Sequence, residues 1–200
     1  TVTRPLAEGD EIVLRDRTLR VHHRPGHSPS DTVFHDPARG MLLAADHLIK
    51  HISSNPLIAR PLDVPLDDAD AAREVRRPQS LQIYLESLAK TREMPDVELV
   101  LPGHGQAVTD HVALIDERAR LHARRARRIH RMIAERPRTA FEIAQAMWGN
   151  VAVTQAYLTL SEVLGHTDLL VNDGRVAEVE GADGVVRLES LKAPDGSEAV

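Results

Sequence analysis

Three short apolar runs, each ending in a side chain that can hold a metal, constrain this chain more than any other feature. Thr18–His23 leads into Arg24-Pro25-Gly26-His27-Ser28-Pro29-Ser30-Asp31. Met41–Ala45 leads into Asp46-His47, and Leu99–Leu101 leads into Pro102-Gly103-His104-Gly105. Runs of this length and composition, bounded by turn residues, read as strands. Loops at strand ends are where a rigid sheet carries chemistry. Pro25 sets its own φ and Gly26 permits a sharp turn, so the first loop holds His27 still. The glycines beside His104 leave room for a metal and a substrate to approach the backbone. Imidazole nitrogen and carboxylate oxygen are the donors that hydrolytic zinc uses. His27, Asp46 and His104 are therefore the candidate ligands. The simpler reading, structural turns whose histidines bond to neighbours, stays open on any one loop taken alone.

The rest of the chain frames these loops. Glu11–Leu14 and Thr18–His23 read as a hairpin turned by Arg15-Asp16-Arg17. Thr32–His35 is a further strand, and Asp36-Pro37-Ala38-Arg39-Gly40 is a turn. Met41–Ala45 shows little alternation, which predicts a strand covered on both faces. His51-Ile52-Ser53-Ser54-Asn55-Pro56 is a polar loop close in sequence to Asp46. His47 and His51 are candidates to hold a substrate oxygen or to hydrogen-bond Asp46 from behind. Asp63–Arg77 reads as irregular or partly helical. Pro78 suits the first turn of a helix, and Leu81, Tyr84, Leu85 and Leu88 give that helix an apolar face ending near Met94-Pro95.

Asp110 opens a long helix reaching about Glu135, with Arg118, Arg120, Arg124, Arg125, Arg127, Arg128 and Arg131 along it. Such a run reads first as a solvated face and second as an anion site. Thr139 and Glu142 form a capping box for a helix that Gly149 stops after Trp148. A second helix is expected from near Thr154 to Gly165. Leu169-Leu170-Val171, the turn Asn172-Asp173-Gly174 and Arg175–Glu180 read as a hairpin, with Val185–Leu188 as a third strand.

Composition excludes several classes. There is no cysteine, so neither disulfides nor thiolate metal sites can form. The net charge of −5 lacks the basic excess of a nucleic-acid binder. From Val153 to His166 there is no Arg or Lys to meet phosphate, and Glu162 would repel it. No apolar run approaches the roughly 18 residues of a membrane span, and a cytoplasmic location is expected. Aromatic residues are only 2%, so the core must be aliphatic.

Taken together, the loops resemble those of the metallo-β-lactamase-fold hydrolases, of the β-lactamase-like or glyoxalase II-like type. Pro25-Gly26-His27-Ser28-Pro29 resembles that family's third metal motif, Ala45-Asp46-His47 the motif whose aspartate bridges two metals, and Pro102-Gly103-His104-Gly105 the last ligand motif. The resemblance implies an α/β fold, the C-terminal half of an αββα sandwich over residues 1–110, followed by a winged-helix domain over residues 111–200. It implies a dinuclear hydrolase of a small molecule, with two zinc ions in the intact protein. His27 and His104 would each hold one ion, Asp46 would bridge them as the catalytic carboxylate, and the loop bearing Ser54 would overhang the site. The substrate could be an ester, thioester, lactone or phosphodiester. The family's first motif, His-x-His-x-Asp-His, is absent here, and His22-His23 does not replace it. The chain therefore reads as the C-terminal portion of a longer hydrolase, inactive alone and weakly metallated. The winged-helix part would cover the hydrolase, shape its rim or form a homodimer contact. The rival reading is a nucleic-acid-binding or interaction module built on that part and the arginine-rich helix.

Overall fold

The computed structural model describes residues 2–59 and 77–194. They divide into two units, Thr1–Arg118 and Ala119–Val200. All of the segment 63–77 except Arg77 lies outside the described residues.

The first unit is built on a mixed five-stranded sheet in sequential order. Its strands are β1 (Glu11–Val13), β2 (Thr18–His23), β3 (Thr32–Asp36), β4 (Met41–Ala45) and β5 (Leu99–Pro102). β1 to β4 pair antiparallel, while β4 and β5 pair parallel, with Leu42 opposite Val100. A parallel pair needs a long crossover, and helix α1 (Ser80–Arg92) lies within it. The β3–β4 connection is a single 3-10 turn, in which Asp36 accepts from the backbone N–H of Arg39 and Gly40 takes φ 60°.

Register shows which face is buried. Val33, His35, Leu42, Ala44 and Val100 share one face and are buried. On the other face Val21 of β2 is fully buried, but Leu43 of β4 is 37% exposed. β4 therefore alternates, and the expectation of a strand covered on both faces does not hold among the described residues. An unbroken apolar run cannot by itself report which face has a neighbour.

Helix α1 buries Ser80, Leu81, Tyr84, Ser87, Leu88 and Thr91 as one stripe. Leu85 lies at its margin, and Pro78 precedes the helix instead of sitting in its first turn, because Gln79 is the N-cap. Helix α2 (His111–Glu135) begins where Asp110 accepts from the backbone N–H of Ala113 at 2.9 Å. Arg118 is buried and donates to the carbonyls of Ile49 and Lys50, so it pins the chain that follows Asp46.

The second unit packs an aliphatic core around Ile129, Ile133, Ile143, Val163, Leu170, Val176 and Leu188. α3 (Ala140–Trp148) carries the Thr139–Glu142 capping box and ends at Gly149, φ 56°. The next helix differs from expectation. A four-residue turn, α4 (Val151–Thr154), precedes α5 (Ala156–Asn172), which runs through Gly165 and includes Leu169–Val171. A helical glycine costs about 1 kcal/mol, and the apolar burial of Val163 and Leu170 on either side of it offsets that. Asp173-Gly174 ends this helix, with Gly174 at φ 62° and the Arg175 N–H bonded to the Leu170 carbonyl. The hairpin is β6 (Val176–Glu180) with β7 (Val186–Ser190), so Val185–Leu188 supplies its second strand, not a third. β7 also bridges Arg138 through Leu188. Among the described residues no helix is long and apolar enough to cross a membrane.

Candidate metal centre at the sheet edge

Strand direction brings the three candidate ligands to one place. β2 is antiparallel to β3 and β3 to β4, so β2 and β4 run the same way, and β5 joins them in parallel. His27, Asp46 and His104 each follow the C-terminal end of one of these strands, hence the same edge of the sheet. β2 and β4 are separated by two strand spacings, about 10 Å, yet His27 from the loop after β2 comes within 3.9 Å of Asp46 after β4.

Asp46 stands between the two imidazoles and offers each a different oxygen. Oδ2 lies 3.9 Å from His27 Nε2, and Oδ1 lies 3.6 Å from His104 Nε2. Two donors about 2.1 Å from a shared tetrahedral ion stand about 3.4 Å apart, so both gaps suit a bridged cation. His27 Nδ1 donates to the Asn55 carbonyl at 3.0 Å. This places the proton on Nδ1 and leaves the Nε2 lone pair facing Asp46, the arrangement common behind metal-binding histidines. The donor set and its orientation fit a divalent ion.

The surrounding residues hold this geometry. Ser54 is buried and its hydroxyl donates to the Asp46 backbone carbonyl. Ala45 takes φ 44°, rare for a residue with a side chain and worth about 1–3 kcal/mol of strain, which the bonds around Asp46 must offset. Gly26 at φ 149° lets its loop approach α1 so closely that a Cβ there would meet Tyr84 Cα at 2.5 Å. Ser87 Oγ donates to the Pro25 carbonyl at 2.7 Å.

His47 is turned away from the edge. Its ring is buried edge-on to Tyr84, and Nε2 donates to Thr91 Oγ1 at 2.9 Å while Thr91 donates to the Ser87 carbonyl. Burial, and then the Arg24 charge, pulls its pKa down to about 3, so it is neutral at pH 7. Tyr84 Oη donates to the His47 carbonyl, and burial raises its pKa to about 12. His51 is exposed. The backing of Asp46 thus comes from Ser54, while His47 is tied to Thr91. Sequence reasoning missed the α1 polar pair Ser87 and Thr91, whose spacing of four on the buried stripe was the available signal.

Residues 2–104 match the metallo-beta-lactamase superfamily, and residues 126–191 match the metallo-beta-lactamase-like C-terminal domain. The chain belongs to the metallo-β-lactamase superfamily. It is 34% identical over 146 residues to the probable metallo-hydrolase YqjP of Bacillus subtilis (strain 168), covering 73% of this chain and 42% of that protein. A beta-lactamase domain protein from Burkholderia ambifaria superposes with a TM-score of 0.78 at 32% identity, covering 94% of this chain and 52% of the other. A metallo-beta-lactamase family protein from Thermus thermophilus gives 0.75 at 22% identity, with 93% and 54% covered, which shows the fold. The chain spans about half the length of these superfamily relatives.

The second unit contains a candidate metal-binding triad that sequence reasoning did not find, His122, Glu162 and His166. The only local signal was the Glu162–His166 spacing of four on a helix.

Proposed function

We propose that this chain supplies the His27–Asp46–His104 part of a dinuclear metal hydrolase. The observation that carries the proposal is Asp46 set between two imidazoles, one per carboxylate oxygen. His27 and His104 would each hold one ion, and Asp46 would bridge them. Bound zinc there would supply hydroxide near neutral pH and polarise the scissile carbonyl or phosphoryl oxygen. The Asn55 carbonyl keeps the His27 proton on Nδ1, and the Ser54 hydroxyl fixes the turn that aims the carboxylate. The Bacillus relative's name, probable metallo-hydrolase, agrees with this chemistry. Esters, thioesters, lactones and phosphodiesters remain the candidate substrate classes, because a fold does not choose among them.

Each ion would have two protein ligands from these residues, one fewer than a catalytic zinc. The 200 residues by themselves are expected to bind metal weakly at this edge and to turn over no substrate. The further ligands would come from chain outside them. Residues 111–200 would form a winged-helix part, supported by the order of four helices, one of them a single turn, before a hairpin and by the Arg138–Leu188 bridge. It would pair two copies of the chain.

A second reading, an interaction or nucleic-acid-binding module, draws on the exposed Arg120, Arg124, Arg127, Arg128 and Arg131. It is the weaker one, since Arg118 and Arg125 of the same run are committed to protein partners. In the full-length protein, His104→Ala should abolish hydrolysis across an ester, thioester, lactone and phosphodiester panel. Unchanged turnover would refute the metal-site reading. Salt-dependent binding of RNA or DNA that is lost on neutralising the arginines would favour the second.

A further inference from the structure

The second unit buries a group of donors that the sheet edge does not use. His122 lies on α2, while Glu162 and His166 lie one turn apart on α5. Their exposures are 1%, 8% and 0%, and one donor atom from each lies within 4.8 Å of the other two. A carboxylate and two imidazoles are costly to bury together unless they are paired or ligate a cation.

We propose that His122, Glu162 and His166 form a structural site for one zinc-class divalent ion that clamps α2 to α5. His166 Nδ1 donates to the Glu162 carbonyl at 2.7 Å, so its proton is on Nδ1 and its Nε2 lone pair faces His122. That is the orientation a metal-binding imidazole needs. His122 Nδ1 stands 3.2 Å from His166 Nε2, near the roughly 3.4 Å between two nitrogens of one tetrahedral ion. Without the ion a proton bridges this gap, and ion binding moves it to the far nitrogen of His122. Two imidazoles and one carboxylate favour Zn²⁺ over Ca²⁺ or Mg²⁺, which take oxygen donors. Enclosure in a helical core suits a structural role, since no substrate can reach it.

Arg125 sets the affinity. Its guanidinium is ion-paired with Glu162 Oε1, which orients the carboxylate and also opposes a second cation. Arg125→Gln should therefore tighten ion binding even though it removes an ion pair.

The site is independent of the sheet-edge reading, and the test removes that edge first. The full chain carrying His27→Ala and His104→Ala is titrated with Zn²⁺ alone by calorimetry, and with Co²⁺ by visible absorption. One ion should still bind, with a Co²⁺ spectrum of nitrogen and oxygen ligands, and Arg125→Gln should bind it several-fold tighter. His122→Asn or Glu162→Gln should lose it while circular dichroism keeps the helix signal. Should either variant unfold, the parent's Tm with Zn²⁺ against chelator decides, and a rise is expected. Absence of the bound ion in the parent, unchanged affinity in both ligand variants, or no Zn²⁺-dependent rise in Tm overturns the site.

Discussion

A Cβ placed on Gly103 would lie 2.6 Å from Oδ1 of Asp46. The glycine before His104 thus makes space for the carboxylate, and the two loops can meet only because one has no side chain there. Gly103→Ala should push the carboxylate off the His104 side. In the full-length protein we expect a loss of metal affinity of about 10–100-fold, as for other changes that misdirect a ligand. Calorimetric titration reads it, with circular dichroism showing that the fold persists.

Gly26 faces the backbone and ring of Tyr84, not a side-chain tip that could swing away. Gly26→Ala should cost about 1–3 kcal/mol through overpacking, with more from its φ of 149°. A Tm unchanged from the parent would show that the loop does not press on α1 as described.

The His47–Thr91 bond is buried, so removing its acceptor leaves a ring N–H unsatisfied. Thr91→Val should destabilise by about 1–3 kcal/mol in chemical denaturation. Metal content of the full-length protein should be retained, because His47 points away from the edge.

Glu142 provides a pH-dependent contribution. The Thr139 backbone N–H, and then Arg136, hold its carboxyl below the ordinary value of 4.5. A lowered folded pKa means stability that is complete above the unfolded pKa and lost as pH falls through the folded one. The Tm advantage of the parent over Glu142→Gln should therefore be full near neutral pH and be lost in acid as the pH falls through the lowered folded pKa. Thr139→Ala should cost about 1 kcal/mol at neutral pH by removing the other half of the cap.

Several elements were legible because their causes are local. The Thr139–Glu142 cap, the Asp110 helix start and the β1–β2 turn each depend on residues within a few positions. Other signals were ambiguous. Asp173-Gly174 suits a hairpin turn and a helix C-terminus equally, since both use a glycine at positive φ, and the structure takes the second. The arginines of α2 look alike in sequence, yet Arg118 is buried on carbonyls, Arg125 grips Glu162 and Arg124 is exposed. Only a partner distinguishes them.

What the chain's order of residues settled alone was that His27, Asp46 and His104 stand at the ends of short strands, since apolar runs and the turns that close them are short-range effects. That those ends share one edge follows from the antiparallel turns through β3 and the parallel pairing of β4 with β5, which joins residues more than fifty positions apart. The grouping of His122 with Glu162 and His166 likewise exists only once α2 meets α5. Pairing and packing between distant segments are decided by which surfaces leave water together, and no local pattern records that choice.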